Sequence, residues 1–349
     1  MLGSDAKEAP GRPSDHAPVI AVDANGADRG PGSVAEGVRR AGTAVLLFGP
    51  TTELAAAGQR ARLVEAPVAI TGNEEPARAV RSKPEASIVQ AARAVAEDRA
   101  GALVSAGATG GVLAASTLVI GRLRGVHRPA LAVLLPLPGG PTLLLDAGAN
   151  VEVRPDHLVQ FAYMGACFME SCHGVERPRV GLLSVGEESG KGTPDVVEAH
   201  ERLADGPLNF LGNLEGFDLP AATAHVVVTD GFTGNVALKV LEGTAKALTG
   251  AIRDAIRASP LSSVGGLLIR RNLARLRDDL DPEGVGGAIL LGLRKPVVVA
   301  HGSFGPEGIA SAIWLARRAV DERMVERTAA ALAGAGALRS VPAASVAEP

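Results

Sequence analysis

The feature that most constrains this chain is a five-fold recurrence of a short apolar run, a polar glycine-rich turn and a helical pattern. The sharpest instance is Val226-Val227-Val228, followed by Thr229-Asp230-Gly231-Phe232-Thr233-Gly234-Asn235. Three consecutive β-branched residues have the character of a strand buried on both faces, as in parallel sheets. From 236 to 256 apolar residues return at helical spacing, with Leu238, Leu241, Ala245, Leu248 and Ile252 on one side. The other four turns are 23–31, 105–111, 146–150 and 186–192. Such alternation predicts an α/β fold, a doubly wound, mostly parallel sheet with helices on both faces. The turns then lie at the C-terminal ends of strands, where open α/β sheets bind ligands and helix N-termini favour anions.

The rest of the pattern fills this frame. Strands are expected at 19–22, 44–48, 62–68, 102–105, 180–185, 208–211, 226–228 and 297–300, and helices at 86–97, 109–123, 156–172, 195–203 and 306–332. Apolar runs at 131–135 and 142–145 flank Pro138-Gly139-Gly140-Pro141, which predicts an antiparallel hairpin within the sheet. Residues 1–17 and 336–349 are rich in Ala, Pro, Ser and Gly and are expected to be disordered tails around one domain, 18–335.

Composition removes several function classes. With 35 basic and 38 acidic residues, one Trp, one Tyr and seven Phe, the chain offers neither a polycationic face nor a base-stacking surface, so nucleic acid is not an expected partner. Cys167 and Cys172 lie on a helical pattern at a spacing that suits buried small hydrophobes, and no metal site is expected. Neither G-x-G-x-x-G nor a Walker A sequence is present, and no organic cofactor is expected. Residues 1–17 lack the apolar centre of a leader peptide, and no apolar stretch reaches the ~18 residues of a membrane span. A cytoplasmic protein is expected.

A set of motifs runs in order along 19–315. It comprises Asp23-x-x-Gly26-x-Asp28-x-Gly30-Pro31, Ser105-Ala106-Gly107-x-Thr109-Gly110, Arg128-Pro129-Ala130-Leu131 and Leu145-Asp146-x-Gly148-Ala149-Asn150. It continues through Gly186-Glu187-Glu188-x-x-Lys191-Gly192, Gly212-Asn213-x-Glu215-Gly216, Asp230-Gly231-Phe232-Thr233-Gly234-Asn235 and His301-Gly302-Ser303. On these motifs the chain resembles the bacterial phosphate acyltransferase family, PlsX. The resemblance implies synthesis of acyl phosphate from acyl-(acyl carrier protein) and inorganic phosphate, without metal or organic cofactor. It also implies an isocitrate/isopropylmalate dehydrogenase-like fold, a homodimer, peripheral association with the membrane and delivery of product to a downstream membrane acyltransferase.

Phosphate is itself a nucleophile, so such a reaction needs positioning and charge stabilisation more than a protein nucleophile. The resemblance makes Lys191 the cationic partner of phosphate or oxyanion, Asn235 a hydrogen-bond donor, and His301 a proton source for the departing thiolate. Asp23, Gly26, Ser105, Gly107, Thr109, Gly110, Asp146, Asn150, Glu187, Asp230, Thr233 and Gly234 are expected around the substrates in one shared pocket. Asp23 and Asp146 read equally as caps or loop braces, and His301 as a cap of the last helix.

Three departures from the family pattern stand inside these motifs: Asn25 and Ala27 replace a Met and a Gly, Ala108 replaces an Asn, and Phe304-Gly305 replace Ser-Asn. They keep open a diverged, non-catalytic paralogue that binds carrier protein or membrane. Acyl-coenzyme A as donor also stays open; a nicotinamide-dependent dehydrogenase of the same fold would need metal-binding Asp pairs that are not evident. Finally, 260–281 interleaves Leu267, Leu268 and Ile269 with Arg270, Arg271 and Arg275, which suits a helix on an anionic membrane surface or on a partner.

Overall fold

A computed structural model describes residues 18–279 and 282–339, leaving out the side chains of 273–282. The expected N-terminal tail and most of the C-terminal one lie outside the described residues. The strands are β1 (Ile20–Asp23), β2 (Val45–Gly49), β3 (Ala61–Glu65), β4 (Ala102–Ser105), β5 (Ala130–Leu137), β6 (Gly140–Leu145), β7 (Arg179–Leu183), β8 (Asn209–Leu214), β9 (Val226–Val228), β10 (Ala288–Leu291) and β11 (Val297–Val299). Among the described residues these eleven form one sheet in the order β3-β2-β1-β4-β11-β10-β5-β6-β9-β7-β8.

Two parallel blocks make up this sheet. β3, β2, β1, β4 and β11 run in one sense, and β6, β9, β7 and β8 in the other. β10 and β5 join them through antiparallel pairings, including the predicted β5–β6 hairpin with Ala132 opposite Leu145. The C-terminal ends of the two blocks therefore point to opposite edges of the sheet.

Helices α1 (Pro31–Ala41), α2 (Pro76–Ser82), α3 (Ser87–Ala96), α4 (Thr109–Ala115), α5 (Pro155–His173), α6 (Pro194–Ala204), α7 (Asp218–Ala221), α8 (Gly231–Arg257), α9 (Pro260–Asp279), α10 (Pro306–Asp321) and α11 (Met324–Gly334) complete the chain. Two apolar layers follow, one on each face. One gathers side chains of α1, α5, α6, α10 and α11, including Phe161, Phe168 and Ile313; the other gathers α2, α3 and α4, including Ile88, Val89 and Val112. Helix ends carry ordinary punctuation: α1 and α5 begin with proline and end at Gly42 and Gly174, both left-handed.

Four expectations change. The single helix at 306–332 is two, because Arg323 takes a left-handed backbone (φ 52) between α10 and α11. The helix at 109–123 is shorter: α4 passes into a π-helical turn, Ser116–Ile120, and ends at Gly121. Residues 336–339 are tied to the body, since Gln160 Nε2 donates to the Ala337 carbonyl at 2.7 Å and the Arg339 N–H to that of Gly125 at 2.9 Å. The start of α8 joins the second layer through Leu238, with Ala237 and Leu241 against it; the rest of α8 and α9 leave both layers. Of α8 only Gly231, Gly234 and Leu238 are buried, while Leu248 and Ile252, expected to pack, are exposed.

Candidate active site

Three adjacent parallel strands, β6, β9 and β7, deliver three of the predicted turns to one edge. The Asp146 carboxylate is buried and wholly occupied there. Its Oδ1 accepts the N–H groups of Leu131 (2.9 Å) and Ala149 (3.0 Å), and its Oδ2 accepts the Asn150 N–H (2.7 Å) and Nδ2 (2.8 Å). Burial raises its pKa against the pull of these bonds. Asn150 is likewise buried, with Nδ2 also on the Pro129 carbonyl at 2.8 Å. Both residues brace the turn.

Asp230 caps α8, its Oδ1 accepting the Thr233 N–H at 2.8 Å. The Asn150 carbonyl accepts the Gly231 N–H at 2.7 Å, so the 146–150 and 230–235 turns interlock. Gly234 is required by that contact: a Cβ there would stand 2.0 Å from the Asp146 carbonyl oxygen. What remains free in the first turn of α8 is the Phe232 N–H and the exposed Asn235 amide, which lies over Gly148. Thr233 is exposed beside them.

The third turn carries Lys191. Its backbone is held by Ser184 Oγ (2.9 Å) and Asn213 Nδ2 (3.2 Å), both donating to the Lys191 carbonyl, and Asn213 Nδ2 also reaches the Glu188 carbonyl at 2.8 Å. His200 Nδ1 meets Asn213 Oδ1 at 3.0 Å. Ser184, His200 and Asn213 are thus positioning residues; of these the sequence motifs held only Asn213, with no role attached, and the available signal was its place after Gly212. The Lys191 ammonium is exposed and, among the described residues, unpaired. Glu187 and Glu188 are exposed too, and neither carboxylate orders it.

The remaining predicted residues sit at the other edge, on β1, β4 and β11. Asp23 is fully buried; its Oδ2 accepts the Ser105 hydroxyl at 2.8 Å and its Oδ1 the Asn25 N–H at 3.2 Å. Burial pushes its pKa up from 3.8 to about 6, against hydrogen bonds from Ser87, Ser105 and Asn25. Asn25 Nδ2 donates to Ser87 Oγ and the Ala66 carbonyl, both at 2.9 Å. Gly26 has φ 85 and packs on Gly107, whose Cα would be 2.7 Å from an added Cβ. Ser105 Oγ accepts the Gly107 N–H, Gly110 lies against Pro76, and Thr109 is exposed. Between these turns is a space of only about 10 Å³, room for roughly one water. His301 is exposed, and its Nδ1 is taken up by Ser303 Oγ at 2.8 Å. The bond orders the 301–303 turn and does not cap α10, whose N-cap is Gly305 without a side-chain cap bond.

The expected single pocket is therefore divided. β11, β10 and β5 stand between β4 and β6, a lateral spread of about 19 Å. Among the described residues no hydrogen bond joins the two sets of turns. Ala108 does not face Lys191; it is the N-cap of α4, with no side-chain cap bond. On α9, Leu267, Leu268, Ile269, Arg270 and Arg271 are exposed, and Arg275 falls among the side chains outside the description.

Comparison with known proteins bears on this geometry. The family model described as "Fatty acid synthesis protein" matches residues 19–327. A phosphate acyltransferase of Thermobifida fusca is 44% identical over 337 residues, covering 93% of each chain, and one of Oceanobacillus iheyensis is 41% identical over 86% of this chain and 93% of its own. The chain belongs to the phosphate acyltransferase family. Its match to that family spans both edges of the sheet. A phosphotransacetylase of Streptococcus pyogenes shares the fold, with TM-score 0.60 at 16% identity over 87% of this chain and 94% of its own. No described helix is long and apolar enough to cross a bilayer.

Proposed function

We propose that the chain transfers an acyl group from acyl-(acyl carrier protein) to inorganic phosphate, releasing a free thiol and an acyl phosphate for phospholipid synthesis. One observation carries this reading. At the β6–β9–β7 edge the Asp146 carboxylate is consumed by protein N–H groups and Asp230 accepts the Thr233 N–H, whereas Lys191, Asn235 and the Phe232 N–H are left unpaired. The edge presents donors and a cation, as an anionic nucleophile and a developing oxyanion require.

A phosphate oxygen held by Lys191 attacks the thioester carbonyl carbon, forming the new C–O bond. The carbonyl oxygen takes up the negative charge, stabilised by the Asn235 amide and the helix N-terminus. Collapse breaks the C–S bond, and the thiolate leaves to be protonated by solvent. No protein nucleophile enters: Cys167 is buried and its thiol is pushed up by burial.

The α8–α9 pair supports the remaining assignments, a homodimer and a peripheral membrane surface next to a membrane acyltransferase. Leu261 and Leu268 are 82% and 81% exposed, so this arm carries apolar area that the chain itself leaves uncovered. The test of the activity is purified protein with acyl-(acyl carrier protein) and phosphate, following thiol and acyl phosphate; turnover with acyl-coenzyme A alone would replace the donor. For the surface, Leu268→Glu/Ile269→Glu is expected to abolish flotation with anionic liposomes. Flotation equal to the parent would remove the membrane assignment.

A further inference from the structure

A second concavity lies far from Lys191, at the β3 edge of the sheet. Its volume is about 580 Å³, within the ~300–1,000 Å³ typical of small-molecule sites. The floor is formed by the half-buried Val19, Leu46 and Val64, and the rim by Arg60, Arg62 and Arg99. The register explains why these residues meet. Leu46 lies opposite Arg62 and Phe48 opposite Val64, so Arg62 and Val64 share the face of the sheet on which α3 packs. α3 ends at Ala96, and Arg99 follows in the turn back to β4, leaving the last part of that face uncovered.

The rim is cationic in excess. Arg99 pairs with Glu97 at 2.9 Å, and Arg60 donates to the Gly42 carbonyl. Among the described residues Arg62 has no partner, and Asp98 nearby is turned to Lys295 at 2.7 Å. An edge strand protects itself well enough with one exposed charge; three guanidinium groups around an apolar floor exceed that need. Eight residues line the groove. A stable protein interface engages about 20–30 residues a side, which favours a small ligand over a docked protein.

We infer that this groove binds a single-chain anionic amphiphile, an alkyl chain on the Val19–Leu46–Val64 floor with a carboxylate or phosphate head on Arg60 and Arg62. Guanidinium forks pair with both head groups in the same bidentate way. Carboxylate and phosphate monoester thus represent two sources of one chemistry. The inference rests on the proposed function only in that such amphiphiles resemble its product; the binding itself does not need turnover. Seven strands stand between β2 and β7, so the groove and the Lys191 turn are separate sites.

The experiment is calorimetric titration of the full chain with dodecanoate and, separately, dodecyl phosphate, both below micelle formation. The expected result is saturable binding of at least one of them, weakened tenfold or more by Arg62→Glu, partly retained by Arg62→Lys and unchanged by Lys191→Ala. Circular dichroism of the variants guards against a folding defect, and Arg60→Gln gives a second, milder reading of the rim. Which head group binds more tightly identifies the source. Absence of binding to the parent protein, binding unaffected by Arg62→Glu and Arg60→Gln, or equal binding of uncharged dodecanol would each overturn the inference. Loss of binding with Lys191→Ala would assign the amphiphile to the proposed active site. Because turnover is assayed separately, failure here leaves the acyltransfer reading intact.

Discussion

The two ligand-ready edges of this sheet are built from the same grammar and end in opposite conditions. At the β1–β4–β11 edge Asp23 turns inward to Ser105 and Asn25, and Asn25 to Ser87, while the exposed His301 pairs with Ser303 and Thr109 stays exposed. At the β6–β9–β7 edge Asp146 turns inward in the same way and Asp230 caps α8, but Glu187, Glu188, Lys191 and Asn235 stay outward. A strand–Gly-turn–helix unit is thus not itself a binding site. It becomes one when a cation or amide at the turn is left without a protein partner.

The largest expected effect tests that asymmetry directly. Lys191→Ala should lower kcat/KM for acyl transfer to phosphate by roughly 10²–10³-fold, the usual cost of removing one preorganised stabiliser of a developing charge. Asn235→Ala should lower it by about 10²-fold, and His301→Ala by less than threefold, since His301 follows β11 at the other edge. Steady-state rates at saturating carrier substrate decide the matter. A His301 variant as slow as the Lys191 variant would move the chemistry to the other edge.

Next in size is the brace beneath the active turn. Asp146→Ala leaves the buried N–H groups of Leu131 and Asn150 without acceptors, at a cost on the order of 3 kcal/mol. Because Gly231 and Gly234 rest on this turn, activity should fall together with stability. Urea unfolding and rate measurements on one preparation check this. An Asp146→Ala protein of full stability and no activity would make Asp146 a participant, not a brace.

How much of this was legible beforehand depends on whether a feature is local. Ala102–Ser105 and Val226–Val228 were read to the residue, because a β-branched or apolar run flanked by polar turns has a purely local signature. The break at Arg323 was not, since nothing in the helical pattern marks a left-handed residue between two amphipathic segments. β10 was missed for another reason: four residues, Ala288–Leu291, become a strand only through pairing on both sides. The family motifs named turns that do lie at strand ends but not their partition, which is fixed by strand order. Whether Asp146 binds or braces is decided by five donors brought together from 131 to 150, and no spacing announces that.

A comparable but reversible effect distinguishes the two buried carboxylates' edges by pH. The Asp23 carboxyl has its pKa raised by burial to about 6, above its unfolded value. It holds its proton more tightly when folded, so its stabilising contribution is complete below about pH 4 and lost as pH rises through about 6. The interval corresponds to roughly 3 kcal/mol. Between pH 4 and 7 the parent protein should lose about that much relative to Asp23→Asn, measured by urea unfolding. Parallel curves for the two proteins would mean that Asp23 is ionised throughout, and the contrast between a sealed and an open edge would weaken.

The smallest effect concerns Ala108, where the family pattern has Asn. Position 108 is the N-cap of α4, its backbone extended (φ −56, ψ 123) and its side chain unable to accept an N–H from the first turn. An Asn there satisfies one of the helix's orphan donors, which is worth about 1 kcal/mol. Ala108→Asn should therefore raise the urea midpoint modestly while changing the rate of acyl phosphate formation by less than threefold. The departure from the family pattern then costs stability at the sealed edge and leaves the chemistry at the open edge untouched. A tenfold gain in rate without a gain in stability would reverse this, making the missing amide a catalytic loss and joining the two edges in one site.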